Sequence, residues 1–398
     1  MHGRSRVRCG IALAILSFAG NVMAAPLFDL LIGTYTREAA NSAEPASQGL
    51  YRLRFDAGSG LLEPNPRQVV ASQNPSWLTL NQAGTRLFVA NENGPGQADP
   101  VGRVSSLAVH PTSNWLTPLT QATTLGDEPT HVALSADERY LFVSNYGARA
   151  NPGGSLVVLP VDTRGRIGAA VQLAKHPASG VHPDRQQSPH VHSAVLSPDG
   201  RTLFVSDLGA DRLFAYRYDP ANAERPLSPA EPHAIELPPG SGPRHLLFSG
   251  DGTQAFATLE LSAQVARFDH VDGTLVLRQL VDLAALDKRK AHSPGGLHLA
   301  PDGRFLYVSD RAETNQIRVF AIRESQSLEE IQRRDSEGRE PREFAIDPSG
   351  NYLLVANQRS DSLVVMQRDP DSGLIGETLQ TLPLAQPADL KFIDRGTR

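Results

Sequence analysis

Cysteine is nearly absent from this 398-residue chain, and the single one, Cys9, lies within the first ten residues. A disulfide scaffold and a cysteine nucleophile are both excluded, so stability must come from the core. No G-x-S-x-G segment occurs, which removes the serine elbow of α/β-hydrolases. Aromatic residues are only 6% of the chain, and Trp77 and Trp115 are its two tryptophans, read as packing residues. The formal charge is −5 and no extended basic tract appears, which argues against nucleic acid or anionic membrane as a partner. Long apolar runs are missing too, apart from "IALAILSFAG" at 11–20. That run is short for a membrane span. It follows Arg4, Arg6 and Arg8, and Val22 and Ala24 stand at the −3 and −1 positions before Ala25. The pattern predicts a secretory signal peptide over 1–24, leaving 25–398 as the mature chain with no membrane anchor. Cys9 precedes the apolar core instead of ending it, which argues against a lipoprotein. Losing three arginines and no acid takes the formal charge to about −8. An exported chain without cysteine suits a bacterial periplasm.

What the chain has in quantity is glycine (33) and proline (30), as expected of a turn-rich all-β protein. It also repeats itself. "WLTLNQAGTRLFVANE", "HSAVLSPDGRTLFVSDL", "LHLAPDGRFLYVSDR" and "FAIDPSGNYLLVANQ" each join an alternating apolar strand, a polar turn and a second β-rich strand. A third strand usually follows, and the copies end about 50 residues apart, at Glu92, Tyr146, Leu208, Glu260, Arg311 and Gln358. The spacing predicts propeller blades. A seventh copy is split: "FDLLIGTYT" (28–36) and "GLYRLRFD" supply outer strands, and "PADLKFI" (387–393) supplies the first. One seven-bladed domain, closed by strands from both termini, removes the exposed sheet edges. A solenoid would need polar caps, which are not evident.

In an antiparallel hairpin, residues equidistant from the turn face each other. This places Arg244 near Glu260, His192 opposite Asp207, His131 opposite Asn145, Trp77 opposite Asn91 and Arg342 opposite Asn357. One channel mouth thereby collects His131, His190, His192, Arg244, His245, Glu260, Arg311 and Arg342, with Glu92 and Asn145 nearby. The long Gly/Pro loops fall on the same rim. His190 and His192, two apart on a strand, should face one side, as a metal pair, as hydrogen-bonded structural groups, or as acid/base and substrate contacts. Arg244 and Glu260 read as a cross-strand ion pair that can still bind an anionic oxygen. Converging guanidiniums repel one another, so they suit a carboxylate, phosphate or oxyanion.

These residues lie in motifs that resemble the seven-bladed β-propeller lactonases, which include 6-phosphogluconolactonase-type and carboxy-muconate lactonizing enzymes. The matching segments include "IGTYT", "NPSWL", "VSNYG", "HPDRQQSPHVHS", "GSGPRHLLF", "PDGRFLYVSDR" and "PREFAIDPSGNYLLVANQ", in order along nearly the whole mature chain. The resemblance implies catalytic roles for His192, Arg244, Glu260 and Arg311. His190, His131, Asn145, Glu92, His245 and Arg342 are expected to contact substrate. Gly296 stands where the family often has glutamate, and "SDR" replaces "SNR"; both are read as rim changes that bear on substrate. Export points to a sugar lactone of the glucono-1,5-lactone type, opened by a general base (His192 or Glu260) with Arg244 and Arg311 on the oxyanion, without metal or cofactor, in a monomer or weak dimer. A 6-phosphogluconolactonase, a dicarboxylate lactonizing enzyme and a non-catalytic binding propeller are the alternatives.

Overall fold

A computed structural model describes residues 26–36, 47–149 and 152–393. The expected signal peptide lies outside them. Among the described residues, seven antiparallel sheets follow one another around a central channel, and one 3-10 turn, Gln358–Ser360, is the only helical element. Six sheets have four strands. The other has five and carries the expected closure: Pro387–Ile393 pairs with Leu27–Thr34, which pairs with Gly49–Asp56. Each blade also has an outer fourth strand, such as Leu328–Asp335, which the repeat pattern did not single out.

Alternating apolar residues on the middle strands pack blade against blade. Phe256, Val308 and Phe320 bridge blades 5 and 6, while Phe344, Val355 and Val364 continue the core toward blade 7. Every one of these is essentially fully buried. At the turns, a serine or aspartate side chain caps the reversal, as Asp251 does for Thr253 N–H at 3.0 Å.

The innermost strands differ from plain hairpins in one respect. Each carries a register shift at the same place, so two residues oppose one. The inserted residues are Ser76, Thr130, His192 and Arg342 in blades 2, 3, 4 and 7; in blade 5 Arg244 and His245, and in blade 6 Gly295 and Gly296, stand against a single partner. The counted register is therefore off by one. Val191, not His192, pairs with Asp207; Ser144, not Asn145, pairs with His131; Pro75 pairs with Asn91 and Pro341 with Asn357.

Candidate active site

The bulges set the upper layer of the channel. His192 and Arg244 occupy equivalent bulge positions in adjacent blades, and Arg342 does so in blade 7. Glu260 and Arg311 stand just beyond the second strands of blades 5 and 6, at the same mouth. They meet in one cluster. Arg311 Nη2 donates to Glu260 Oε2 at 2.8 Å, and Arg185 Nη2 donates to Oε1 at 2.8 Å. Arg244 Nε lies 3.1 Å from Oε2, near enough for charge pairing but out of line for a hydrogen bond. Burial alone would raise the Glu260 pKa; Arg311, Arg244 and Arg185 outweigh it and hold the carboxyl at about 2.

The two arginines beside Glu260 are not equivalent. Arg311 is fully engaged: Nε donates to Ser293 O, Nη1 to Glu340 and Nη2 to Ser293 Oγ as well as to Glu260. Arg244 is 2% exposed, yet its Nε and Nη1 are buried without a hydrogen-bond partner. Burial pushes its pKa down to about 9, with Arg311 and Arg342 adding and Glu260 opposing. A buried cation with idle donors is costly and is stabilised by an incoming anionic oxygen.

His192 is buried beside it, with Nδ1 unbonded. Burial, then the charges of Arg244, Arg342 and Arg311, hold its pKa well below the ordinary imidazole value, so the ring is neutral. His190 and His192 flank the core residue Val191 and both lie against Tyr146, which meets the His192 ring edge-on at 5.8 Å. His190 stacks on Tyr146 at 4.3 Å, donates from Nδ1 to Tyr146 O at 2.7 Å, and has Ser188 Oγ 3.2 Å from Nε2. No cluster of three or more metal-binding side chains occurs among the described residues.

Below this layer, blades 2, 3 and 5 present Trp77, His131 and His245, with centroids 4.5 Å and 4.9 Å from Trp77. Both histidines are buried and neutral: burial and Lys391 bring His131 down to about 3, and burial with Arg244 puts His245 well below its usual value. Under them a cavity of about 740 Å³, lined by Thr79, Ala133, Leu196 and Lys391 among others, continues the channel. Trp77 thus lines the channel, with Lys391 4.4 Å above its ring, whereas Trp115 is half exposed on the surface. Blade 1 adds Asp389 and blade 7 adds Glu343 to this layer.

The remaining expected residues divide. Glu92 accepts Tyr35 O–H at 2.6 Å and Arg342 Nη2 at 3.4 Å, and Arg342 lies over the Tyr35 ring, so both line the mouth. Asn145 does not reach it. Fully buried, its amide donates to Thr124 O and Gly154 O and braces the blade. Asn91 and Asn357 brace their own blades in the same way. Asp310, in "SDR", belongs to this structural set as well: buried, it holds His292, Arg318 and Ser293 N–H. That change is therefore internal to blade 6 and not a rim change. Sequence reasoning missed Arg185, Tyr35 and Glu343; Arg185 sits in the quoted "HPDRQQSPHVHS" segment, the one signal that could have found it.

A family model described as lactonase, seven-bladed β-propeller, matches residues 29–392. A 6-phosphogluconolactonase of Formosa agariphila is 32% identical over 322 residues, covering 80% of this chain and 88% of its own. One from Bacillus subtilis is 28% identical, covering 91% and 97%. Among solved structures, a periplasmic gluconolactonase of Pseudomonas aeruginosa superimposes with a TM-score of 0.88 at 47% identity, covering 93% of this chain and all of its own.

Proposed function

This chain belongs to the seven-bladed β-propeller lactonase family and is a lactone-hydrolysing enzyme, and on that premise we propose that it opens glucono-1,5-lactone or a close sugar δ-lactone in the periplasm. The observation that carries the reading is Arg244, a buried guanidinium with idle donors, at the bulge position next to a neutral buried histidine. The lactone carbonyl oxygen lies against Arg244, where charge develops as water adds. His192 takes the proton of that water. The tetrahedral intermediate collapses with cleavage of the ring C–O bond, and His192 returns the proton to the leaving ring oxygen. Glu260 acts differently from a base. Both of its oxygens are taken up by arginines, Oε1 by Arg185 and Oε2 by Arg311 and Arg244, whereas His192 keeps Nδ1 unbonded, so Glu260 and Arg311 position Arg244. His131, His245, Glu92 and Arg342 shape the walls. The leader over 1–24 and the similarity to a periplasmic gluconolactonase support the location.

A second reading, 6-phosphogluconolactone, is favoured by Arg185. It is part-exposed at the mouth and spends only Nη2 on Tyr146 and Glu260, leaving donors for a phosphate. Acid release from both lactones by purified 25–398, with and without chelator, separates the two. His192→Ala is expected to cost ~10²–10⁴-fold in kcat and Arg244→Ala ~10²–10³-fold. Turnover that survives both substitutions would remove this mechanism.

A further inference from the structure

We infer that Glu343 is a specificity-determining residue whose free carboxylate oxygen receives ring hydroxyls of the lactone, selecting polyhydroxylated substrates; the inference rests on the lactonase reading above. The geometry begins with two glycines in blade 6. A Cβ at Gly295 would lie 3.0 Å from Arg311 Nε, and one at Gly296 would lie 2.1 Å from Glu343 Oε1 and 2.6 Å from Oε2. The inner strand of blade 6 thus presents no side chain in these two layers. Arg311 fills the space above, and Glu343, reaching across from blade 7, fills the space beneath. The carboxylate therefore sits one layer under the Arg311–Glu260–Arg244 cluster.

Its two oxygens are treated differently. Oε1 accepts His298 Nε2 at 2.8 Å and Phe344 N–H at 3.0 Å, whereas no hydrogen bond reaches Oε2 among the described residues. The residue is 2% exposed. Asp389, the equivalent position in blade 1, shows what a purely structural carboxylate looks like here. Its Oδ2 accepts Leu78 N–H, and its Oδ1 accepts Leu390 N–H and the Lys391 ammonium. Glu343 thus keeps one carboxylate oxygen open to a donor that a ligand can supply. A hydroxyl is the neutral donor that matches a single carboxylate oxygen, and a sugar lactone carries several.

Glu343→Gln keeps an oxygen for His298 and removes the charge and the free acceptor. The KM for glucono-1,5-lactone is expected to rise about tenfold to a hundredfold. For δ-valerolactone, the same ring without hydroxyls, the loss is expected to be at least about tenfold smaller. Gly296→Ala, which evicts the carboxylate, should act in the same direction. Calorimetric binding of glucono-δ-lactam and δ-valerolactam, whose ring amides resist hydrolysis, reads the same selectivity without turnover. Equal losses for both ligands, or none for either, would overturn the assignment and leave Glu343 as a brace for His298. If the wild-type chain hydrolyses neither lactone but binds the hydroxylated lactam in a Glu343-dependent way, the hydrolase reading fails and this one stands.

Discussion

Glu260→Gln separates an anchor from a base. The side chain keeps its shape but loses the charge that faces Arg185, Arg244 and Arg311 at 2.8, 3.1 and 2.8 Å. Arg244 and Arg311 are almost wholly buried; Arg311 keeps Glu340, but Arg244 is left without a counterion. Removing one partner of a buried pair costs about 3–5 kcal/mol. With unfolding entropy of about 2.1 cal/mol/K per residue, a chain of 398 residues shifts by about 1.2 °C per kcal/mol. The expected fall in Tm is therefore about 4–6 °C, read by calorimetry. Adding Arg311→Met should recover part of it, because the second change removes the charge that repels the stranded Arg244. Activity should drop through misplacement of Arg244, and the double variant should not lose the product of the two single losses. A variant with unchanged Tm and no turnover would refute this reasoning and return Glu260 to the role of general base.

Two further outcomes follow from the same interior. His131, with a pKa of about 3, and His192 and His245, held well below the usual value, are neutral when folded, yet they bind protons near pH 6.5 when unfolded. Their folded pKa values are depressed, so the unfolded state holds more protons below pH 6.5 and stability is lost as pH falls. Three such groups contribute about 4 kcal/mol between pH 7.5 and 5.5, and a denaturant midpoint that does not move over this interval would contradict the burial of these rings. Asp310→Asn should lower Tm, since it loosens a buried contact to Arg318 and His292, while leaving KM for the lactone in place; a KM change without destabilisation would put Asp310 back on the rim.

The fold was legible because its signals are local and repeated. Alternation, turn chemistry and a period near 50 residues define a blade, and the split copy at 28–36 and 387–393 predicts the closure that the paired terminal strands display. The outer fourth strands were less visible, since they are half exposed and lack a fixed pattern, as in Leu227–Glu236. The site was legible by neighbourhood but not by register. Counting from the turn assumes one residue opposite one, and a bulge, which leaves no composition signature at His192 or Arg342, breaks that assumption in every blade. The error had a chemical consequence. It put Asn145 near the mouth opposite His131 and Asp207 opposite His192, when both are internal braces, with His176 Nδ1 2.9 Å from Asp207 Oδ2. The same bulges turn His192, Arg244 and Arg342 toward the channel while their neighbours stay in the ladder. A straight strand would present every second residue and could not offer both Arg244 and His245 inward. The irregularity that defeats the count is thus what assembles the site, and the tandem glycines at 295–296 extend it by giving their wall to side chains from elsewhere.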